Sequence, residues 1–142
     1  MNSEKERIKV LLVQFPLESH SRPAFTVASM LRDSGMEVIY IGNSLPEQII
    51  GTAAQEGVDV VGISSYCGGE VVLGEKVIKL AKEKGIAKNT AFVLGGIFPP
   101  EDEPKLKEIG FDALFPPGST REEIDKGIRS ALADKRAKTG GR

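Results

Sequence analysis

Short apolar runs alternate along the chain with segments in which apolar residues recur at helical spacing. The first run is almost continuously apolar, which is typical of a strand buried on both faces of a parallel sheet. Residues 25–31 and 49–54 each carry an apolar stripe at helical spacing, which predicts helices that pack on a sheet. The runs that predict strands are residues 8–15, 37–41, 58–64, 91–94 and 113–115.

Glycines follow several of the predicted helices. A glycine after the last helical turn is typical of a left-handed C-terminal cap, and the pattern occurs at Gly35, Gly57, Gly85 and Gly110. Pro23 suits the first position of the first helix, where its missing N–H has no partner to lose. Strands that alternate with helices predict a parallel sheet with right-handed crossovers. At this length we expect a doubly wound, flavodoxin-like α/β fold with five strands in the order 2-1-3-4-5.

The length of 142 residues predicts one domain, large enough to bury a core without disulfides or a structural metal. We expect this single domain to span residues 1–142, with its core at about residues 7–132. The end of the chain, residues 134–142, is basic and has no apolar period. A flexible tail is therefore expected there.

Charge and cysteine content exclude several classes of protein. Lysine plus arginine number 19 and aspartate plus glutamate 20, so charge indicates neither a nucleic-acid nor an anionic membrane partner. The one cysteine, Cys67, excludes an intramolecular disulfide and a cysteine-rich zinc site. No apolar stretch approaches the roughly 18 residues of a membrane-spanning helix, and residues 1–7 carry no signal-peptide pattern. We therefore expect a cytoplasmic protein.

The candidate chemistry lies in the loops that follow the predicted strands. In an open parallel sheet, the ligand crevice lies outside the carboxyl ends of the strands. The only histidine, His20, follows the first strand, so it is a candidate metal ligand. The pair Gly95 and Gly96 would let a bulky ligand approach the backbone where a Cβ would intrude. The loops expected to converge on one edge are residues 18–22, 64–70, 95–100 and 116–120.

Other uses of this fold fit the loops less well. A flavin phosphate cradle needs a cluster of serine, threonine and glycine that the first loop lacks. A phospho-acceptor receiver needs an aspartate at the end of the third strand to hold Mg²⁺, whereas Ser64 and Ser65 stand there. Taken alone, His20 also fits a solvated surface histidine, Ser64 a strand-end hydrogen bond, and the glycine pair an ordinary turn.

Three short motifs follow the first, third and fourth predicted strands: residues 17–23 around His20, Ser64 with Tyr66, and Gly95 with Gly96. They resemble the cobalamin-binding signature Asp-x-His-x-x-Gly, Ser-x-Leu and Gly-Gly. Residues 38–42, 58–65 and 95–102 also resemble the B12-binding subunits of methylmalonyl-CoA-type mutases. The resemblance extends from about residue 7 to about residue 132.

This resemblance implies how a cofactor is held. In that family the histidine replaces the dimethylbenzimidazole of cobalamin as the lower ligand of cobalt, a role that falls here to His20. Glu18 would accept a hydrogen bond from the imidazole, as carboxylates beside metal-bound histidines do. Ser64 would hydrogen-bond the displaced base, and the glycine pair would let the nucleotide tail pass. The residues implied in cofactor binding are Glu18, His20, Ser21, Arg22, Ser64, Tyr66, Gly95, Gly96, Gly118 and Ser119.

The resemblance also implies an activity. It is that of the small subunit of an adenosylcobalamin-dependent acyl-CoA mutase, in which the cofactor supplies radical chemistry for a carbon-skeleton rearrangement. A separate large subunit with a TIM barrel would bind the acyl-CoA, since this chain has no room for such a barrel. The alternative is a non-catalytic cobalamin carrier or sensor, or a divergent homologue that has lost the cofactor.

Three positions depart from the family signature. Glu18 is one methylene longer than the aspartate, which changes how its carboxylate reaches the imidazole. Pro23 stands where the family has glycine, and it removes a backbone donor and any positive φ. Tyr66 replaces leucine and brings a ring and a hydroxyl to the wall of the site. Pro23 and Tyr66 are the residues that favour the non-catalytic alternative.

Overall fold

The computed structural model, which describes residues 7–66 and 68–140, contains one five-stranded sheet. The strands are β1 (Lys9–Gln14), β2 (Glu37–Asn43), β3 (Val60–Ser65), β4 (Ala91–Gly96) and β5 (Ala113–Phe115). Their order in the sheet is β2-β1-β3-β4-β5 and every neighbouring pair is parallel, which confirms the predicted flavodoxin-like topology.

Helices cover both faces of the sheet. Because side chains alternate along a strand, Val10 and Leu12 of β1 pack in one apolar cluster, and Leu11 and Val13 pack in the other. The helices are α1 (Arg22–Asp33), α2 (Pro46–Glu56), α3 (Glu70–Lys84), α4 (Asp102–Ile109) and α5 (Arg121–Gly140). The cluster with Val10 and Leu12 includes residues of α1 and α5, and the cluster with Leu11 and Val13 includes residues of α2, α3 and α4.

Local sequence accounts for several helix ends. The Gln48 side chain accepts a hydrogen bond of 2.8 Å from the Leu45 N–H and caps the start of α2. Gly57 and Gly85 end α2 and α3 with φ of +62° and +79°, in the left-handed region that glycine favours. Pro23 occupies the second position of α1 rather than the predicted first. Its missing N–H costs nothing at either position, because the first helical N–H groups have no intrahelical partner.

The C-terminal segment, for which a flexible tail is predicted, is helical as far as the structure describes it, and residues 141–142 of the predicted tail lie outside the described residues. Helix α5 continues through this segment to Gly140. Two ion pairs connect its last turns to Asp59 and Asp112, which precede β3 and β5. These carboxylates also accept hydrogen bonds from the backbone N–H groups of Lys9 in β1 and Phe92 in β4, respectively. The ion pairs are Arg136 to Asp59 at 3.1 Å and Lys135 to Asp112 at 3.1 Å.

Two strands extend by two residues beyond their predicted ends, and β3 extends by one, to Ser65. Strand β2 runs to Asn43 and β4 runs to Gly96, so the glycine pair belongs to a strand and not to the loop after it. The carboxyl ends of β1, β3 and β4 nevertheless lie side by side, as the sheet order requires. None of the helices that the structure describes has the length and apolar character to cross a bilayer.

Candidate functional site

The loop between β1 and α1 holds a buried carboxylate beside the histidine. Glu18 is only 6% exposed, and its Oε2 atom accepts hydrogen bonds from the His20 backbone N–H at 3.1 Å and the His20 ring at 2.8 Å. Its Oε1 atom accepts a hydrogen bond from the backbone N–H of Tyr66, at the end of β3. The extra methylene of glutamate thus lets one carboxylate join two loops.

This contact sets the tautomer of His20. A carboxylate acceptor next to Nδ1 places the ring proton on Nδ1, so the lone pair of the neutral imidazole lies on Nε2. The His20 side chain is 55% exposed, whereas that of Glu18 is 1% exposed. The loop therefore fixes an imidazole at the protein surface with the geometry that a metal ligand needs.

Tyr66 lies next to this imidazole. The two ring centroids are 5.8 Å apart and the ring planes are tilted by 37°. Burial raises the pKa of the Tyr66 phenol, and the negative charge of Glu18 raises it further, so the hydroxyl keeps its proton at neutral pH. The residue that replaces the family's leucine therefore acts as a neutral wall beside the histidine.

A cavity of about 520 Å³ lies between the sheet and helices α1 and α5. It runs from the carboxyl ends of the strands down to Val10 and Leu12 of β1, and most of its walls are apolar. Such a space is typical of ligand sites, in which apolar walls surround a few polar groups. The predicted site residues that line it are Arg22, Ser64, Tyr66, Gly95, Gly96, Gly118 and Ser119.

The two glycines of β4 have different reasons to be glycine. A Cβ on Gly96 would lie 1.9 Å from the carbonyl oxygen of Ser65, and its φ is +138°, so the fold itself requires glycine there. A Cβ on Gly95 would meet Phe115 at ordinary contact distances of 3.5 and 3.6 Å. The fold therefore does not require glycine at position 95. The effect of Gly95 is to leave space in the cavity that a Cβ would occupy.

The other predicted site residues, Glu18, His20 and Ser21, lie in the β1–α1 loop and do not line the cavity. Glu18 and His20 stand beside Tyr66, which does line the cavity. Ser21 is the residue before α1, and its hydroxyl makes no capping hydrogen bond. Ser119 lines the cavity, but its hydroxyl already donates to the Pro116 carbonyl at 2.7 Å.

Sequence reasoning missed the helical walls of the cavity and the residues that hold the histidine loop. Met30 and Ile128, from α1 and α5, line the cavity, although their spacing indicates only that they face the core. Gln14, Tyr40 and Asn43 hydrogen-bond one another or the loop. The one available signal was that Asn43 and Gln14 are polar residues at the ends of otherwise apolar strands.

The metal-binding side chains of the site suit a metal whose other ligands come from a cofactor. Among residues 7–66 and 68–140, no group of three or more histidine, cysteine, aspartate or glutamate side chains could hold a metal ion. A structural or catalytic zinc site has at least three protein ligands. One oriented imidazole beside a large cavity would suit a metal that a macrocycle already coordinates, because the protein would then need to supply only one further ligand.

Sequence and fold are similar to those of proteins that use vitamin B12. The family described as the B12 binding domain matches residues 8–125. The 2-hydroxyisobutanoyl-CoA mutase small subunit of Aquincola tertiaricarbonis is 36% identical over 132 residues, covering 92% of this chain and 96% of that protein. The pivalyl-CoA mutase small subunit of Xanthobacter autotrophicus is 35% identical over 119 residues, covering 82% and 78%.

The fold is similar to that of a crystallised cobalamin-binding protein from Desulfitobacterium hafniense. The TM-score is 0.75 at 18% identity, and the match covers 89% of this chain and 60% of that one. At this identity the likeness concerns the fold alone.

Proposed function

This chain belongs to the B12-binding domain family, and on that premise we propose that it is the cobalamin-binding small subunit of an acyl-CoA mutase. The observation that carries the proposal is the Glu18–His20 pair, with Nδ1 on the carboxylate at 2.8 Å, beside a cavity of about 520 Å³. A matched fold alone would not distinguish this function from the other uses of a doubly wound sheet.

His20 is the proposed lower ligand of cobalt. The bond to Glu18 holds the ring orientation and raises the basicity of Nε2, which favours metal ligation. Because Glu18 is buried and also accepts the Tyr66 N–H, the carboxylate that holds the ring is itself fixed between two loops. Preorganisation of this kind lowers the entropy cost of binding the ligand.

The cavity is the proposed place of the displaced nucleotide tail. Its apolar walls suit an aromatic base, Ser64 offers a hydroxyl to that base, and Gly95 leaves the space that a Cβ would fill. The proposed cofactor-binding residues of the wall are Arg22, Ser64, Tyr66, Gly95, Gly96, Gly118 and Ser119, with Glu18, His20 and Ser21 above them in the loop.

Adenosylcobalamin is the proposed form of the cofactor. When bound, this cofactor would supply the radical chemistry for a carbon-skeleton rearrangement. The protein's share is to bind, to orient and to keep water away from one side of the site. The Tyr66 ring and the apolar cavity wall serve the last of these roles.

A large subunit that binds acyl-CoA, with a TIM barrel, is the proposed partner. Large apolar side chains are exposed in the segments that follow the carboxyl ends of the strands, where a second subunit would cover the cofactor. We expect a docked interface of roughly 1,200 to 2,000 Å². The exposed residues are Leu17, Leu45, Val72 and Ile97.

The non-catalytic carrier or sensor is the second candidate, and the relatives do not favour it, since those matched along most of their length are named as mutase small subunits. A cytoplasmic location remains a prediction of the sequence. The observation that separates the two candidates is whether a cognate large subunit restores mutase activity when it is mixed with this chain and adenosylcobalamin.

Electron paramagnetic resonance of bound cob(II)alamin tests the ligand directly. Labelling histidine with ¹⁵N should change the nitrogen splitting of the cobalt signal from the ¹⁴N to the ¹⁵N pattern, because the axial nitrogen then belongs to the protein. His20→Ala should abolish that change, and Gln55→Ala, an exposed residue of α2, should keep it. A wild-type signal that is insensitive to the label would refute the assignment of His20.

A further inference from the structure

Strand β2 contains one extra residue opposite β1. Leu12 pairs with Tyr40 and Val13 pairs with Gly42, so Ile41 has no partner on β1. Gly42 adopts a φ of +76°, which glycine tolerates and other residues rarely do. Because side chains alternate with a period of two, an extra residue moves those that follow to the opposite face of the sheet. Asn43 therefore pairs with Gln14 and shares its face.

The Asn43 side chain reaches the loop that carries His20. Its Nδ2 atom donates to the carbonyl oxygens of Glu18 at 2.6 Å and Phe15 at 2.9 Å, and it lies 3.3 Å from that of Pro16. Carbonyl oxygens only accept hydrogen bonds, so the NH₂ group must be the end of the amide that faces them. One side chain of the edge strand thus contacts three carbonyl oxygens of the loop.

Gln14 holds the other end of the same loop. It is fully buried, and its Nε2 atom donates to the His20 carbonyl oxygen at 3.3 Å. Its Oε1 atom accepts a hydrogen bond from the Tyr40 hydroxyl. Burial raises the pKa of Tyr40, so this hydroxyl stays protonated and can donate. Tyr40 therefore fixes which way the Gln14 amide points.

We propose that Asn43, with Gln14 and Tyr40, is a positioning residue that holds the His20 imidazole in place to serve as a metal ligand. The proposal rests on the proposed role of His20 and adds residues of β2 to it. Glu18 is anchored at both ends, by Asn43 at its carbonyl oxygen and by Tyr66 at its carboxylate. Loss of the first anchor frees the backbone that carries the Glu18–His20 pair.

Asn43→Asp is the sharpest test, because it keeps the shape of the side chain and replaces the donor with an oxygen facing three carbonyl oxygens. We expect the affinity of the purified full-length chain for cob(II)alamin to fall by about 10- to 100-fold, the usual effect of losing a group that supports a metal ligand. The fraction of the cobalt signal that carries ¹⁵N-histidine splitting should fall with it. Asn43→Ala should give a smaller loss, since it removes the donor without adding repulsion.

A second readout needs no cofactor. The Tyr66 N–H donates to Glu18, so its hydrogen exchange reports whether the loop still holds the carboxylate. We expect faster exchange of this N–H in Asn43→Ala and in Tyr40→Phe, with the exchange of core amides unchanged. Gln55→Ala on α2 is the control. If Asn43→Asp does not fold, the alanine and phenylalanine variants decide the question.

The outcomes separate this proposal from the role of His20. Wild-type protein without ¹⁵N-histidine splitting would overturn the assignment of His20, and the cofactor-free exchange measurement would still test the anchoring of the loop. The opposite result would be ¹⁵N-histidine splitting in wild type that persists in folded Asn43 variants, with unchanged cobalamin affinity and unchanged hydrogen exchange of the Tyr66 N–H. That result would overturn the positioning role and leave His20 as the ligand.

Discussion

Replacing Glu18 by glutamine tests how the carboxylate supports His20. The carboxylate accepts three N–H groups, two from His20 and one from Tyr66. Glutamine has one acceptor oxygen, so its NH₂ group must face at least one of these donors. The variant keeps the size of the side chain and changes only its charge and donor pattern.

The two orientations of the new amide bracket the expected loss. If its oxygen faces His20, a charge-assisted bond of about 1.5–3 kcal/mol becomes a neutral one of about 0.5–1.5 kcal/mol. If its oxygen faces Tyr66, the imidazole loses its acceptor, and an outer partner of this kind typically contributes about 10- to 100-fold in metal affinity. With about 1.4 kcal/mol for each factor of ten, cobalamin affinity should fall by about 5- to 100-fold.

Titration of the purified chain with cob(II)alamin, followed in the visible spectrum, measures this loss. Glu75→Gln, which removes the same charge from the exposed face of α3, is the matched control and should bind as wild type does. Thermal unfolding of both variants separates weaker binding from a loss of folded protein. A folded Glu18→Gln variant with wild-type affinity and unchanged histidine splitting would refute the supporting role of Glu18.

Three further predictions concern stability and assembly. Gly96→Ala should destabilise the protein by about 2 kcal/mol or more in urea unfolding, because the new Cβ would lie 1.9 Å from a backbone oxygen. Gly95→Ala should unfold as wild type does but bind cobalamin more weakly, because its Cβ meets only ordinary contacts. Equal losses of stability in the two variants would contradict this distinction. Burial raises the pKa of Glu70, and Asp102 adds to the shift, so the folded state holds this proton more tightly than the unfolded state. Stability should therefore decrease as the pH rises above the usual value for glutamate, and Glu70→Gln should remove that slope in urea unfolding across pH 4 to about 8; an unchanged slope would count against it. Ile97→Asp should leave folding and cobalamin binding intact, since the side chain is 55% exposed, but should weaken co-elution with the large subunit in size-exclusion chromatography; undiminished co-elution would argue against docking at this edge.

The local pattern of the sequence was sufficient for the framework of the fold. Continuous apolar runs mark buried parallel strands, and glycines at Gly57 and Gly85 mark helix ends, because both signals depend on neighbours in the sequence. The strand order followed from the alternation of strands and helices, because right-handed crossovers leave few other arrangements. The loop of His20 could be identified for the same reason, since every parallel strand presents its following loop at one edge of the sheet.

The end of α5 shows a feature that this local reasoning did not predict. The basic segment after Asp134 has no apolar period, which predicted a flexible tail. Lys135 and Arg136 instead pair with Asp112 and Asp59, which lie 23 and 77 positions earlier in the chain. An ion pair across that separation depends on the packing of α5 against the sheet, and helical periodicity carries no information about it.

The sequence by itself determined which residues could serve as a ligand, and the tertiary structure decided how that ligand is held. His20 and Glu18 are two residues apart, so their pairing could be expected from the sequence. Tyr66 is 48 residues from Glu18, and Asn43 is 25 residues from it. Only the pairing of neighbouring strands brings Tyr66 to the Glu18 carboxylate and Asn43 to the Glu18 carbonyl oxygen. The extra residue before Asn43 decides the face on which its amide lies, and an irregularity of register between two strands leaves no periodic signal in either one.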